Sequence, residues 1–170
     1  MSVTMHTMSV PVFARALRNL RSVLEIGERF AGEKGIAPEV LLQTRLIPDM
    51  LPLVRQVQIA TDMAKNGCAR LTATEPMPFP DDETSFEQLY ARIDRCLAYI
   101  EAFDKAQFDG SETRAISFQT RTGPLNFDGL GYLTSYLLPN LFFHGAIAYA
   151  ILRVAGAPLG KNDFLGGAGR

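Results

Sequence analysis

The stretch LPNLFFHGAIAYAILR, Leu138 to Arg153, decides how this chain folds. It sits in the longest uncharged run of the sequence, Gly129 to Leu152, and carries a single histidine, His144. A run of that length could span a bilayer as a helix. Asn140 and His144 near its middle, with Thr134, Ser135 and Pro139, would then need protein partners that a solitary span lacks. The run therefore reads as the core helix of a water-soluble bundle, from about Gly129 to Ala155, with Gly156 and Pro158 as stop signals. Pro139 removes a backbone hydrogen bond inside it, so a kink is expected near Ser135 to Pro139.

This helix is apolar on almost every face, whereas a helix on the rim of a four-helix bundle needs only one buried stripe. The surplus implies a cover, and a second copy related by a twofold axis is the economical one. A homodimer through this helix is the expectation.

Upstream, Ile116 and Phe118 alternate with polar neighbours, as do Leu125 and Phe127, with Thr120 to Pro124 between them; the pattern predicts a small hairpin within Thr113 to Asp128. Ser85-Phe-Glu-Gln88 is a capping-box sequence that opens a third helix, to about Ala106, with Phe86, Leu89, Ile93, Cys96, Leu97 and Ile100 as its stripe. Before it, TEPMPFPDD (Thr74 to Asp82) carries prolines at alternate positions and predicts an extended linker. Pro48-Asp49 and Pro52 open a second helix, about Leu51 to Thr72, whose stripe is Met50, Val54, Val57, Ala64, Cys68 and Leu71. Pro38 to Gln43 reads as a helical turn. Ser9 and Pro11 resemble a helix start, with Val10, Phe13, Leu17, Leu20 and Leu24 running to about Ala31, where Gly32 and Gly35 follow.

With 170 residues, of which 47% are apolar, the chain suits one domain with its own core. Lys and Arg total 17 against 18 Asp and Glu, interspersed, so no field of one sign exists to collect nucleic acid or anionic lipid. The start MSVTMHTMSVPVF lacks the pattern of a secretory signal, and a cytoplasmic location is expected. Cys68 and Cys96 then read as buried thiols rather than a disulfide or a nucleophile.

Three readings of the chemistry stay open. Tyr132, Tyr136, Asn140 and His144 recur every four residues and form a polar line that can host a small ligand, or whose members satisfy one another in the core or at an interface. Tyr136, Asn140 and His144 are the candidate ligand-binding residues. A metal needs at least three ligands, and the sequence offers only His6 and His144 as imidazoles, so carboxylates would have to complete a site. His144 and Asp49 are the candidate metal donors. The segment GAPLGKN, Gly156 to Asn162, has the wrong spacing for a phosphate loop and follows a helix.

The segments SVPVFARALRNL, LIPDMLPLVRQVQIATDMAK and YLLPNLFFHGAIAYAILRVAGAPLGKNDFLG together resemble the bacterial family called domain of unknown function nineteen ninety-three, grouped with the DinB-like proteins. The resemblance implies an up-down-down-up four-helix bundle, all-α apart from the hairpin, and commonly dimeric. Many DinB-like proteins hold a divalent metal with three histidines, one from the second helix and two from the fourth, four residues apart. Here the fourth-helix pair falls on Asn140 and His144, and the second helix has no histidine between Asp49 and Lys65. The resemblance therefore implies a non-catalytic or small-molecule-binding bundle, with no resident cofactor, over a metal- or thiol-dependent transferase or isomerase that uses His144. A purely structural partner protein is a third class.

Overall fold

A computed structural model describes residues 3–167 of the chain. Four long helical segments, drawn from α1 (Met5–Lys34), α3 (Leu53–Leu71), α4 (Phe86–Glu101) and the continuous run Gly129–Ala155, form the bundle. α1 packs against α3, α4 and the last long helix, and α3 against α4 and that same helix. Their facing stripes, including Phe13, Leu17, Leu24, Val57, Ala64, Leu89, Ile93, Ile151 and Leu152, exclude water almost completely. A short α2 (Pro38–Leu42) follows α1.

α1 starts earlier than Ser9-Pro11 suggested. Thr4 and Thr7 satisfy each other's backbone N–H groups in a reciprocal cap, which moves the first turn back to Met5. Ser9 is then buried inside the helix, its hydroxyl donating to the Met5 carbonyl at 2.7 Å. Pro11 is tolerated in the interior because it and Thr7, whose carbonyl it leaves unpaired, both lie on the exposed side. At the other end α1 passes through Gly32 and closes at Gly35, whose positive φ of 66° suits a left-handed cap.

α3 begins after Pro52, so Asp49 lies in an exposed turn ahead of the helix rather than opening it. α4 is capped by Ser85, which accepts from the Gln88 N–H at 3.2 Å. The Gln88 side chain reaches one residue further back than a standard box, accepting from Thr84 N–H at 2.6 Å. α4 ends at Glu101, short of Ala106, because Asp104 and Gln107 cap a separate 3-10 turn, Lys105–Phe108.

The hairpin pairs β1 (Ile116–Thr120) with β2 (Gly123–Phe127), antiparallel, with Ile116 opposite Phe127 and Phe118 opposite Leu125. Its two-residue turn, Arg121 and Thr122, is tighter than the sequence suggested, and Gly123 supplies a φ of 128°. Two strands gain little alone, and here Phe118 and Phe127 pack on Tyr132 and Tyr136 of the following helix.

The long helix opens as α5 (Gly129–Gly131), widens into a π-helical stretch at Tyr132–Leu137, and resumes as α6 (Leu138–Ala155). The wide turn lies directly before Pro139, in the stretch where a kink is expected, and the Tyr136 carbonyl within it accepts from the Asn140 side chain. A last helix, α7 (Lys161–Leu165), folds back onto α1, with the Asp163 carboxylate accepting from the Gly160 N–H at 2.6 Å.

The run Gly129–Ala155 is long and apolar enough to cross a membrane by length and composition, with a third of its most apolar window buried in the bundle. Leu141, Ala148, Ile151 and Leu152 form its inner face. Phe142, Phe143 and Val154 are exposed on the outer one. Cys68 and Cys96 are free thiols, both fully buried.

Candidate functional site

The polar line on the last helix separates into three environments. Tyr132 and Tyr136 stack on each other with ring centroids 5.7 Å apart and join the hairpin aromatics. Arg70 of α3 closes that cluster, donating to the Tyr132 hydroxyl at 2.8 Å while its guanidinium lies 4.3 Å from the Phe118 ring. Asn140 spends its amide N–H on the Tyr136 carbonyl at 2.7 Å, one of the groups at the wide turn. His144 turns toward α3 instead. The structure thus links Tyr136 to Asn140 through the backbone and sends His144 to a partner of its own, with Asp49 in its exposed turn.

That partner is Gln56. Its Nε2 donates to the Leu51 carbonyl at 2.9 Å, which fixes the amide so that Oε1 faces the imidazole at 2.7 Å. An acceptor oxygen there requires a proton on His144 Nδ1, leaving the Nε2 lone pair free. Burial lowers the His144 pKa to about 4, so the ring is neutral at physiological pH. Gln56 could have been noticed in the sequence: it follows Leu53 by three residues and precedes Ala60 by four, which puts an amide on the buried side of α3.

The α3 residue facing His144 is an amide whose oxygen already accepts the imidazole proton, and Asn140 has committed its amide to the backbone. Among the described residues no three His, Cys, Asp or Glu side chains come together as a ligand set.

A cavity of about 520 Å³ lies on the other flank of α6, between α1, α6 and α7. α1 contributes Val12, Ala16, Leu20 and Val23 to its wall; Leu141, Phe142 and Gly145 come from α6, Phe164 and Leu165 from α7, and Ala60 from α3. Thr7, Arg15 and Asn19 are its polar members. Its size and apolar lining match a small-molecule site. Tyr136, Asn140 and His144 are outside this wall, although Leu141 and Gly145 flank His144 in sequence. α7 was not legible in the sequence, and without it the cavity has no third side.

A second buried polar cluster fastens the proline-rich linker. Arg92 of α4 is 4% exposed and donates to Thr61 Oγ1 at 2.7 Å, the Pro80 carbonyl at 2.7 Å, Glu83 at 2.9 Å and Asp62 at 3.0 Å. Lys65 adds a bond to the Met77 carbonyl at 2.7 Å and lies over the Phe79 ring. Every charge in this cluster has a partner within it, so it reads as a clamp.

The helical order and the hairpin before the last long helix are those of a DinB-like bundle. The chain belongs to the family described as a domain of unknown function, DUF1993, whose model matches residues 5–165. Among solved structures, a crystal structure of a DinB family member protein from Shewanella denitrificans is similar, with a TM-score of 0.89 and 38% identity over 95% of this chain and 91% of that one. No curated protein matches the chain.

Proposed function

We propose that this protein is a small-molecule-binding member of the DinB-like bundles, and that its ligand occupies the cavity between α1, α6 and α7. The observation that carries the reading is an apolar cavity of about 520 Å³ between helices, open to solvent at one side, beside a histidine already committed to a neighbouring amide. In this reading His144 positions α6 against α3, and Tyr136 and Asn140 hold the wide turn that aims α6 at α7. The protein acts in the cytoplasm without a resident metal, and nucleic acid and membrane are not its partners.

We also propose that a second copy covers the outer face of α6. Phe143, Ala146 and Val154 are exposed there, and Phe142, also exposed, reaches the cavity wall as well. The face carries no charge from Leu138 to Leu152, so it selects no charged partner and is complementary to itself.

Binding of a neutral fluorescent probe such as phenylnaphthylamine tests the site. The expected result is saturable binding in the wild type, lost in Gly145→Leu and in Ala16→Leu, which fill the cavity from opposite walls, and kept in Ala146→Leu on the outer face. Equal binding by all four proteins, or loss in Ala146→Leu alone, would refute it.

The competing reading is a metal- or thiol-dependent transferase built on the neutral His144 Nε2. Elemental analysis of untagged protein decides against the binding reading if one equivalent of metal is present and disappears in His144→Ala.

A further inference from the structure

Resting on that assignment of the cavity, we infer its ligand class: an amphipathic monocarboxylate, with an acyl or aryl tail among the helices and its carboxylate on Arg15.

The wall residues include one charged side chain, Arg15, and no carboxylate. Its neighbours along α1 are engaged elsewhere. Arg18 pairs with Glu101 at 2.5 Å, and Arg21 pairs with Glu25 and with Asp94, the latter at 3.2 Å. Among the described residues Arg15 has no acidic partner, and its one recorded hydrogen bond runs from a terminal nitrogen to the Leu165 carbonyl at 3.2 Å. A guanidinium has five N–H donors in a planar fork suited to a carboxylate, so most of its capacity is unspent at the cavity mouth.

The other polar contact at that end is already satisfied: the Asn19 side-chain N–H donates to the Phe164 carbonyl at 3.2 Å. Thr7 is engaged in the cap of α1. The cavity therefore offers an incoming molecule an apolar interior and one cationic anchor, which discriminates for a single negative head group and against cations, dianions and sugars.

Displacement of a dansyl-labelled fatty acid from untagged, full-length protein by decanoate and by decanol tests the class. In the wild type decanoate should displace the probe at about tenfold lower concentration than decanol, and Arg15→Gln should bring the two within about twofold by weakening decanoate alone. Arg15 is exposed, so Arg15→Gln should leave the thermal midpoint unchanged. Equal potency in the wild type, or a preference unaltered by Arg15→Gln, overturns the carboxylate inference while the cavity reading stands. Probe binding untouched by both Gly145→Leu and Ala16→Leu overturns the cavity reading and this inference with it.

Discussion

Replacing His144 with asparagine removes a titration while retaining a donor. Asparagine's side-chain nitrogen falls near the place of Nδ1, so the bond to Gln56 Oε1 survives and the ring that resists protonation disappears. With the folded pKa depressed from 6.5 to about 4, the native state binds fewer protons than the unfolded chain between those values. The stability this represents is complete above 6.5 and is lost as pH falls toward 4. Between about pH 7.5 and pH 5 the linkage amounts to ~2 kcal/mol, and allowing for the ring's partial exposure leaves about 1 kcal/mol. Urea unfolding followed by far-UV circular dichroism reads this as a midpoint shift of about 0.5 M in the wild type beyond that in His144→Asn. His6 is also depressed by burial and by Lys105, but it is common to both proteins and cancels. Identical pH slopes would refute the reasoning, because they would mean that His144 is solvated as a cation in the folded state.

Other changes probe the frame around the site. Gly129→Ala drives a Cβ into the Ser111 carbonyl oxygen, a backbone atom that cannot swing aside, and should cost about 3 kcal/mol in chemical denaturation. Arg92→Met leaves the nearly buried Glu83 carboxylate without its cation and should cost about 3 kcal/mol, with new proteolytic cleavage between Thr74 and Thr84. The thiol of Cys96 is pushed up to about 12 by burial, and Cys68 is pushed up as well, so a thiol reagent should label neither in the native protein and both in urea.

The features legible in the sequence were local ones. Ser85 and Gln88 announced α4, the alternation of Ile116, Phe118, Leu125 and Phe127 announced the hairpin, and the uncharged run announced a core helix with an uncovered face. What escaped the sequence depended on approaches between distant segments or on competing caps. The Thr4–Thr7 pair outcompeted Ser9 for the start of α1, and a π-helical turn, which no local pattern announces, precedes Pro139. The line of residues spaced by four assumed an unbroken α period, which the wide turn at Tyr132–Leu137 interrupts. Gln56 and His144 are 88 residues apart, and no local pattern pairs them. The cavity exists because α7, a five-residue helix after a glycine- and proline-rich turn, returns to α1.

A bundle that binds an organic ligand without a metal keeps its affinity whether or not zinc is present. The measurement is the stoichiometry of probe binding to chelator-treated, untagged protein, before and after zinc is restored. One probe per chain with an affinity indifferent to zinc is the expected result. Binding that vanishes on chelation, returns with one equivalent of zinc and is absent in His144→Ala would contradict it.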